Sequence, residues 1–246
     1  MRKAWWIVGG LGVVGAGVYL ILQSKNPPPF LLRLFDSDPV EPPSNDGYAP
    51  PAKKEQAIAA ALQEWAAPVQ EPDGTNWREI DKYIRGEQGL SWRSADKDAL
   101  GSNIAYTRNR QFSWCGAFQA WVWGQAGLKH DIRYNYMASL RRIHRWARDT
   151  ARLIPPNQIQ RGDIVSVGEL GGPDFGRHMA MALADASGGY VQTIEGNATG
   201  EGPSGRRYEG VTKNIRPVAQ PGQSGGGSTY YVLYGVRFLS EDFDNA

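Results

Sequence analysis

The chain opens on an uncharged apolar run from Ala4 to Leu22, turns proline-rich and polar, and then carries helical and strand periods in succession. The first run is about the length that crosses a hydrocarbon core as a helix. Trp5 and Trp6 at one end and Tyr19 near the other fit interfacial anchors, and Arg2 and Lys3 place the N-terminus on the cytoplasmic side. A cleaved signal peptide would have a shorter apolar core and a small-residue cleavage site. The pattern predicts an uncleaved transmembrane anchor over residues 1–25, with the rest of the chain outside the cytoplasm. NPPPF, DSDPVEPPSND and YAPPAKK then make residues 26–53 an extended, semi-stiff linker.

From about Lys54 the period is helical, with Ile58, Leu62 and Trp65 on one stripe. A second helix is predicted from about Asn76 to Arg85, with Gly86 as its stop. A third runs from about Cys115 to Ala126, where Ala117, Phe118, Trp121, Val122 and Leu128 recur at helical spacing and Gly127 ends it. A fourth covers about 137–149. After Pro155 and Pro156 the chain changes period. RGD at 161–163 makes a turn, IVSV a short strand, and runs at 178–185 and 190–197 flank ASGG as a hairpin. A last strand covers 230–239. Helices first and an antiparallel sheet afterwards give an α+β domain over residues 54–246. Asp96 and Asp98 lie in a predicted loop that lacks the calcium-loop pattern, so no metal site is expected there.

Composition narrows the function classes. Of 246 residues, 27 are basic and 25 acidic, well mixed, which is not the clustered basic face of a nucleic-acid binder. Nine Trp and eleven Tyr suit either a core or a cleft that stacks on sugars and peptides. The single cysteine excludes an internal disulfide and leaves Cys115 as core filler, an intermolecular bridge or a nucleophile. Its place at a helix start favours thiolate, because unpaired N–H groups and the dipole attract negative charge. A nucleophile there needs a base, and the base an orienting group. His130 and His144 read as surface histidines, whereas His178 opens a strand. With a hairpin loop at 186–189, residue 180 faces 195 and 178 faces 197. His178 and Ala180 then share a face with Glu195 and Asn197, either of which is within reach of the imidazole. A one-residue slip would undo this, and a solvated sheet edge is the alternative.

WCGAF at 114–118, RGDIV at 161–165, the His of GRHMAMALAD and the EGN of TIEGN resemble, in this order, a CHAP domain of the papain-like NlpC/P60 superfamily. The resemblance covers about 76–240 and is strongest over 112–197; Met179 and Ala180 after the histidine depart mildly from the family pattern. It implies a papain-like fold and a cofactor-free peptidoglycan hydrolase, an amidase or endopeptidase. Cys115 would be the nucleophile, His178 the general base and Glu195 the orienting residue. Asn197 would orient the imidazole or position substrate, and Trp114 and Trp92 would wall a groove. An anchored wall hydrolase meets its substrate directly, and the same plan suits a phage protein held in a virion or host envelope. The rival readings are a papain-like protease acting on proteins and a non-catalytic, membrane-anchored scaffold.

Overall fold

The computed structural model describes residues 47–67, 77–91, 113–220, 223 and 229–244. The anchor at 1–25, most of the linker and Asp96 and Asp98 lie outside these residues. Among the described residues no helix is long and apolar enough to cross a membrane. The helices are α1 (Pro51–Ala66), α2 (Trp77–Arg85), α3 (Cys115–Gln125), the single turn α4 (His130–Ile132) and α5 (Leu140–Asp149). The strands are β1 (Leu153–Ile154), β2 (Ile164–Gly168), β3 (His178–Ala182), β4 (Tyr190–Glu201), β5 (Arg207–Pro217) and β6 (Tyr231–Val236). All six join one antiparallel sheet in the order β1-β6-β2-β3-β4-β5. The architecture is α+β, helices on an antiparallel sheet.

Helix α3 is the centre of the helical layer. Nine of its 11 residues are buried, so it is apolar all round rather than striped. It packs on α1 and α2 outside and on β3 and β4 beneath. Trp114, Phe118 and Trp121 gather around Tyr83 of α2, with ring centroids 5.4–5.8 Å away. The Tyr83 hydroxyl donates to buried Glu64 of α1, which also takes Lys82 Nζ at 2.8 Å. Gly127, at φ +83°, turns the chain away after α3.

The sheet sorts its residues by alternation. Met179, Met181, Ile164 and Ile194 belong to the core under the helices, whereas Ala180, Ala182, Val165, Val167 and Val191 form a second, smaller core on the other face. The hairpin pairing is the expected one, with Met181 opposite Ile194 and Ala182 opposite Thr193. Its turn is tighter than ASGG, because Ser187 bridges Tyr190 around Gly188 and Gly189, both at positive φ.

Several expectations change. Helix α1 begins at Pro51, whose fixed φ suits a first helical position, and Tyr48 already bridges Leu239, so ordered packing starts before Lys54. Helix α5 begins at Leu140 because a π-helical turn, Arg133–Met137, occupies the preceding residues. Strand β5 was not expected at all. His144 is not a surface histidine: it is 8% exposed and lies against Tyr234 at 4.8 Å, and burial lowers its pKa.

Asp163 of the RGDIV stretch is 1% exposed and takes Arg237 on both carboxylate oxygens, at 2.9 Å (Oδ1) and 2.6 Å (Oδ2). It also accepts the backbone N–H of Gln160 at 2.8 Å, which closes the turn into β2. This pair fastens β2 to the end of β6. Arg237→Met should therefore leave a buried carboxylate with only the Gln160 N–H and Lys54, 3.8 Å away, beside it, and lower stability by about 3 kcal/mol. Urea unfolding followed by tryptophan fluorescence checks this, with a lower midpoint at unchanged slope as the expected result.

Candidate active site

The site forms where the start of α3 meets the start of β3 and the middle of β4. Two glycines set that meeting. A Cβ on Gly116 would strike the Met137 carbonyl, so α3 approaches the π-helical turn closely only without a side chain. A Cβ on Gly196 would lie 2.6 Å from Phe118 and 2.7 Å from Trp114. Gln119 donates to the Ile194 carbonyl at 3.2 Å and fixes α3 to β4 one residue before Glu195. No side chain caps α3, so the first backbone N–H groups beside the thiol are not taken by a capping side chain.

Cys115 and the His178 ring lie close enough for each charge to act on the other. His178 Nε2 lies 3.1 Å from Glu195 Oε2, an ion-pair contact without linear hydrogen-bond alignment. Glu195 has no exposed surface. Its Oε1 accepts Thr193 Oγ1 at 2.5 Å and Arg216 Nε at 2.8 Å, and its Oε2 accepts Arg216 Nη2 at 2.6 Å. Cys115, His178 and Glu195 are thus brought together in that order.

The charges follow from burial and neighbours. Burial pushes the Cys115 thiol up, but the His178 charge and hydrogen bond, helped by Met179 backbone and Ser113, bring it from 9.0 down to about 7. Burial pushes His178 down, but the Cys115 charge and hydrogen bond, then Glu195, raise it to about 10. Burial also opposes the charge on Glu195, and Arg216 and His178 overcome it, holding the carboxyl well below its usual range. Between about 7 and about 10 the dyad is therefore a thiolate–imidazolium pair.

The other expected residues fall differently. Asn197 does not reach the imidazole. It stands at φ +58°, after a break in the β4–β5 pairing, and its Nδ2 donates to Ser113 Oγ at 3.4 Å. Ser113 Oγ in turn lies 3.7 Å from Cys115 Sγ. Trp114 is not a groove wall: it is fully buried and stacks on Tyr83, because the residue before the thiol points into the helical core. Trp92 lies outside the described residues. Arg216 was missed, since its strand was missed. Its only sequence signal is an arginine in a polar run that shows no strand alternation.

Among the described residues no group of His, Cys, Asp and Glu is arranged to hold a metal ion. A cavity of about 520 Å³, lined by Lys53, Gln125, His130, Arg133 and Asp244 among others, opens at the opposite end of α3 and includes none of the site residues.

The coupled pair has a defined pH window. The depressed Cys115 value contributes stability above the ordinary thiol pKa that is lost as pH falls through about 7. The raised His178 value contributes stability below the ordinary imidazole pKa that is lost as pH rises through about 10. Thiolate absorbance at 240 nm should titrate with a midpoint near 7. In His178→Ala the midpoint should move to the ordinary free-thiol value of about 8.5 or above, because burial then acts unopposed by the imidazolium.

Comparison with protein-family models, with curated proteins and with solved structures finds no match to this chain.

Proposed function

We propose that this chain is a papain-like thiol hydrolase of the CHAP type, which cuts amide bonds of peptidoglycan from a membrane anchor over residues 1–25. One observation carries the reading: the only thiol of the chain sits at a helix start, charge-paired with a histidine whose Nε2 lies against a buried carboxylate. The choice of peptidoglycan rests on the order and spacing of WCGAF, RGDIV, the strand histidine and EGN.

The chemistry balances with these groups alone. The Cys115 thiolate attacks the amide carbonyl carbon and forms a carbon–sulfur bond, and the carbonyl pair moves onto oxygen. At the start of α3, the backbone N–H of Cys115 would donate to that oxyanion. The carbon–nitrogen bond breaks as the His178 imidazolium gives its proton to the departing amine. Neutral His178 then takes a proton from water, hydroxide displaces sulfur from the thioester, and the thiolate returns. Glu195 stays ionised throughout because Arg216 balances it when the imidazole is neutral. Ser113 and Asn197 line the same approach to the sulfur and serve to position substrate.

Release of soluble fragments from purified peptidoglycan, with products identified by mass spectrometry, tests the reading. Cys115→Ala should lower release by ~10⁴-fold or more. Intact stem peptides beside free lactyl groups would mean an amidase, and cut peptides an endopeptidase. No release from several wall types, together with thiol-dependent cleavage of a protein, would replace this substrate by a protein. The rate should follow a bell, rising through about 7 as the thiolate forms and falling through about 10 as the imidazolium is lost.

A further inference from the structure

Helix α5 reads LRRIHRWARD, and its buried side is Ile143, His144 and Ala147. Its outer side is four exposed arginines, Arg141, Arg142, Arg145 and Arg148. They stand three or four residues apart at 141/145, 142/145 and 145/148, the spacings at which like charges on a helix repel. Arg141 and Arg142 also fall in the first turn, where the helix dipole disfavours cations and no acidic residue offsets them. Arg148 meets Asp149 at 2.9 Å, but among the described residues no carboxylate forms an ion pair with Arg141, Arg142 or Arg145. Elsewhere on the surface Arg85 is matched with Asp81, Arg161 with Glu55 and Arg177 with Glu169, whereas exposed Arg206 and Arg207 at the β4–β5 turn form no ion pair among the described residues. The chain's net charge is only +2, so this face is a local concentration and not a reflection of a basic protein.

The residues that lead into α5 lie beside the start of α3. The Met137 carbonyl and Ala138 touch the position of Gly116, next to Cys115, and α5 starts three residues after Met137. His144 lies on Tyr234, whose hydroxyl donates to the Phe175 carbonyl three residues before His178. Half-buried Tyr136, in the π-helical turn before α5, stacks at 5.5 Å on half-buried Trp146 of α5. An anionic polymer that crosses the start of α5 would pass close to the end of α3 that carries Cys115.

We infer that the arginine face of α5 is a docking surface for the carboxylate-bearing peptides of the wall strand that is cut at Cys115. This rests on the proposed hydrolase reading for its substrate. The occupant follows from charge: planar guanidinium groups take carboxylates in pairs of hydrogen bonds, and each unsubstituted stem peptide brings free carboxylates. Docking relieves the repulsion that the face carries in the free protein, and it weakens with salt, because exposed charges are screened over ~10 Å at 0.1 M.

The test uses the full chain in detergent with Cys115→Ala throughout, so that binding is read without turnover. Co-sedimentation with purified peptidoglycan, stripped of phosphodiester polymers, gives the affinity. R141Q/R145Q should bind about fivefold more weakly at low salt, from two exposed charge contacts. R206Q/R207Q, which removes as much charge from the β4–β5 turn, should bind as the parent does. The melting temperature of R141Q/R145Q should be no lower than the parent's, since repulsion has been removed. On peptidoglycan whose carboxyls have been converted to amides, parent and R141Q/R145Q should bind equally. Equal loss in both double variants would overturn the proposal in favour of general charge attraction. A difference that persists on amidated wall, or appears only when phosphodiester polymers are left in place, would overturn the choice of occupant. The unmutated nucleophile decides the enzyme reading separately: release without any effect of R141Q/R145Q defeats the docking surface alone, and α5-dependent binding without release defeats the hydrolase alone.

Discussion

A carboxylate with no exposed surface is costly in a protein interior unless its charge and lone pairs are taken up. Glu195 is such a group, and the site is arranged around meeting its needs. Arg216 supplies the counter-charge through two short hydrogen bonds, Thr193 a third donor, and the remaining side of the carboxylate turns to His178. All four residues come from three neighbouring strands, so the imidazole is oriented by the pairing of β3, β4 and β5. Because Arg216 already neutralises the carboxylate, Glu195 mainly fixes the ring. The thiolate is the stronger influence on His178, and its charge stands first among the effects that raise the imidazole.

The parts legible in the sequence are those governed by short-range geometry. The lone thiol at a helix start could be read from Gly127 and the apolar spacing behind it. The facing of His178 and Glu195 followed from a two-residue period and a short glycine loop, and the pairing of Met181 with Ile194 agrees. The missing parts depend on contacts between distant segments. RYEGVTKNIRP has no clean alternation, because β5 is an edge strand whose burial changes along its length, so Arg216 had no strand to stand on. His144 sits among arginines and looked solvated, yet its helical phase puts it beside buried Ile143. Trp114 was assigned to a groove by its nearness to Cys115 in sequence. The turn into α3 sends these neighbours in different directions, the indole to Tyr83 and the thiol to His178.

The short motifs gain separate physical meanings in the fold. In EGN, Glu195 meets the histidine, Gly196 admits Phe118 and Trp114, and Asn197 takes a left-handed conformation that carries its amide to Ser113. In WCG, the tryptophan is core, the cysteine faces the histidine, and the glycine lets α3 approach Met137. In RGD, the aspartate is structural, locked by Arg237 away from the thiol. A stretch of sequence that looks like one signature thus mixes chemistry with the packing that positions it.

Alternation puts His178 and Glu195 on the sheet face turned away from the helices, with Ala180, Ala182 and Val191, whereas Cys115 belongs to the helical layer. The dyad can close only at the sheet's end, where a helix start and a strand start overlap. Competence of the thiol therefore depends on how the helical layer is docked on the sheet. The docking is set by close backbone approaches at Gly116 and Gly196 and by the Gln119 bond to Ile194. A shift of α3 by the width of one methyl group would separate thiol from imidazole, return the thiolate to an apolar burial it cannot bear, and raise its pKa. The charge of Cys115 is thus a property of the packed interface, and a loosened interface would leave it a buried, neutral thiol.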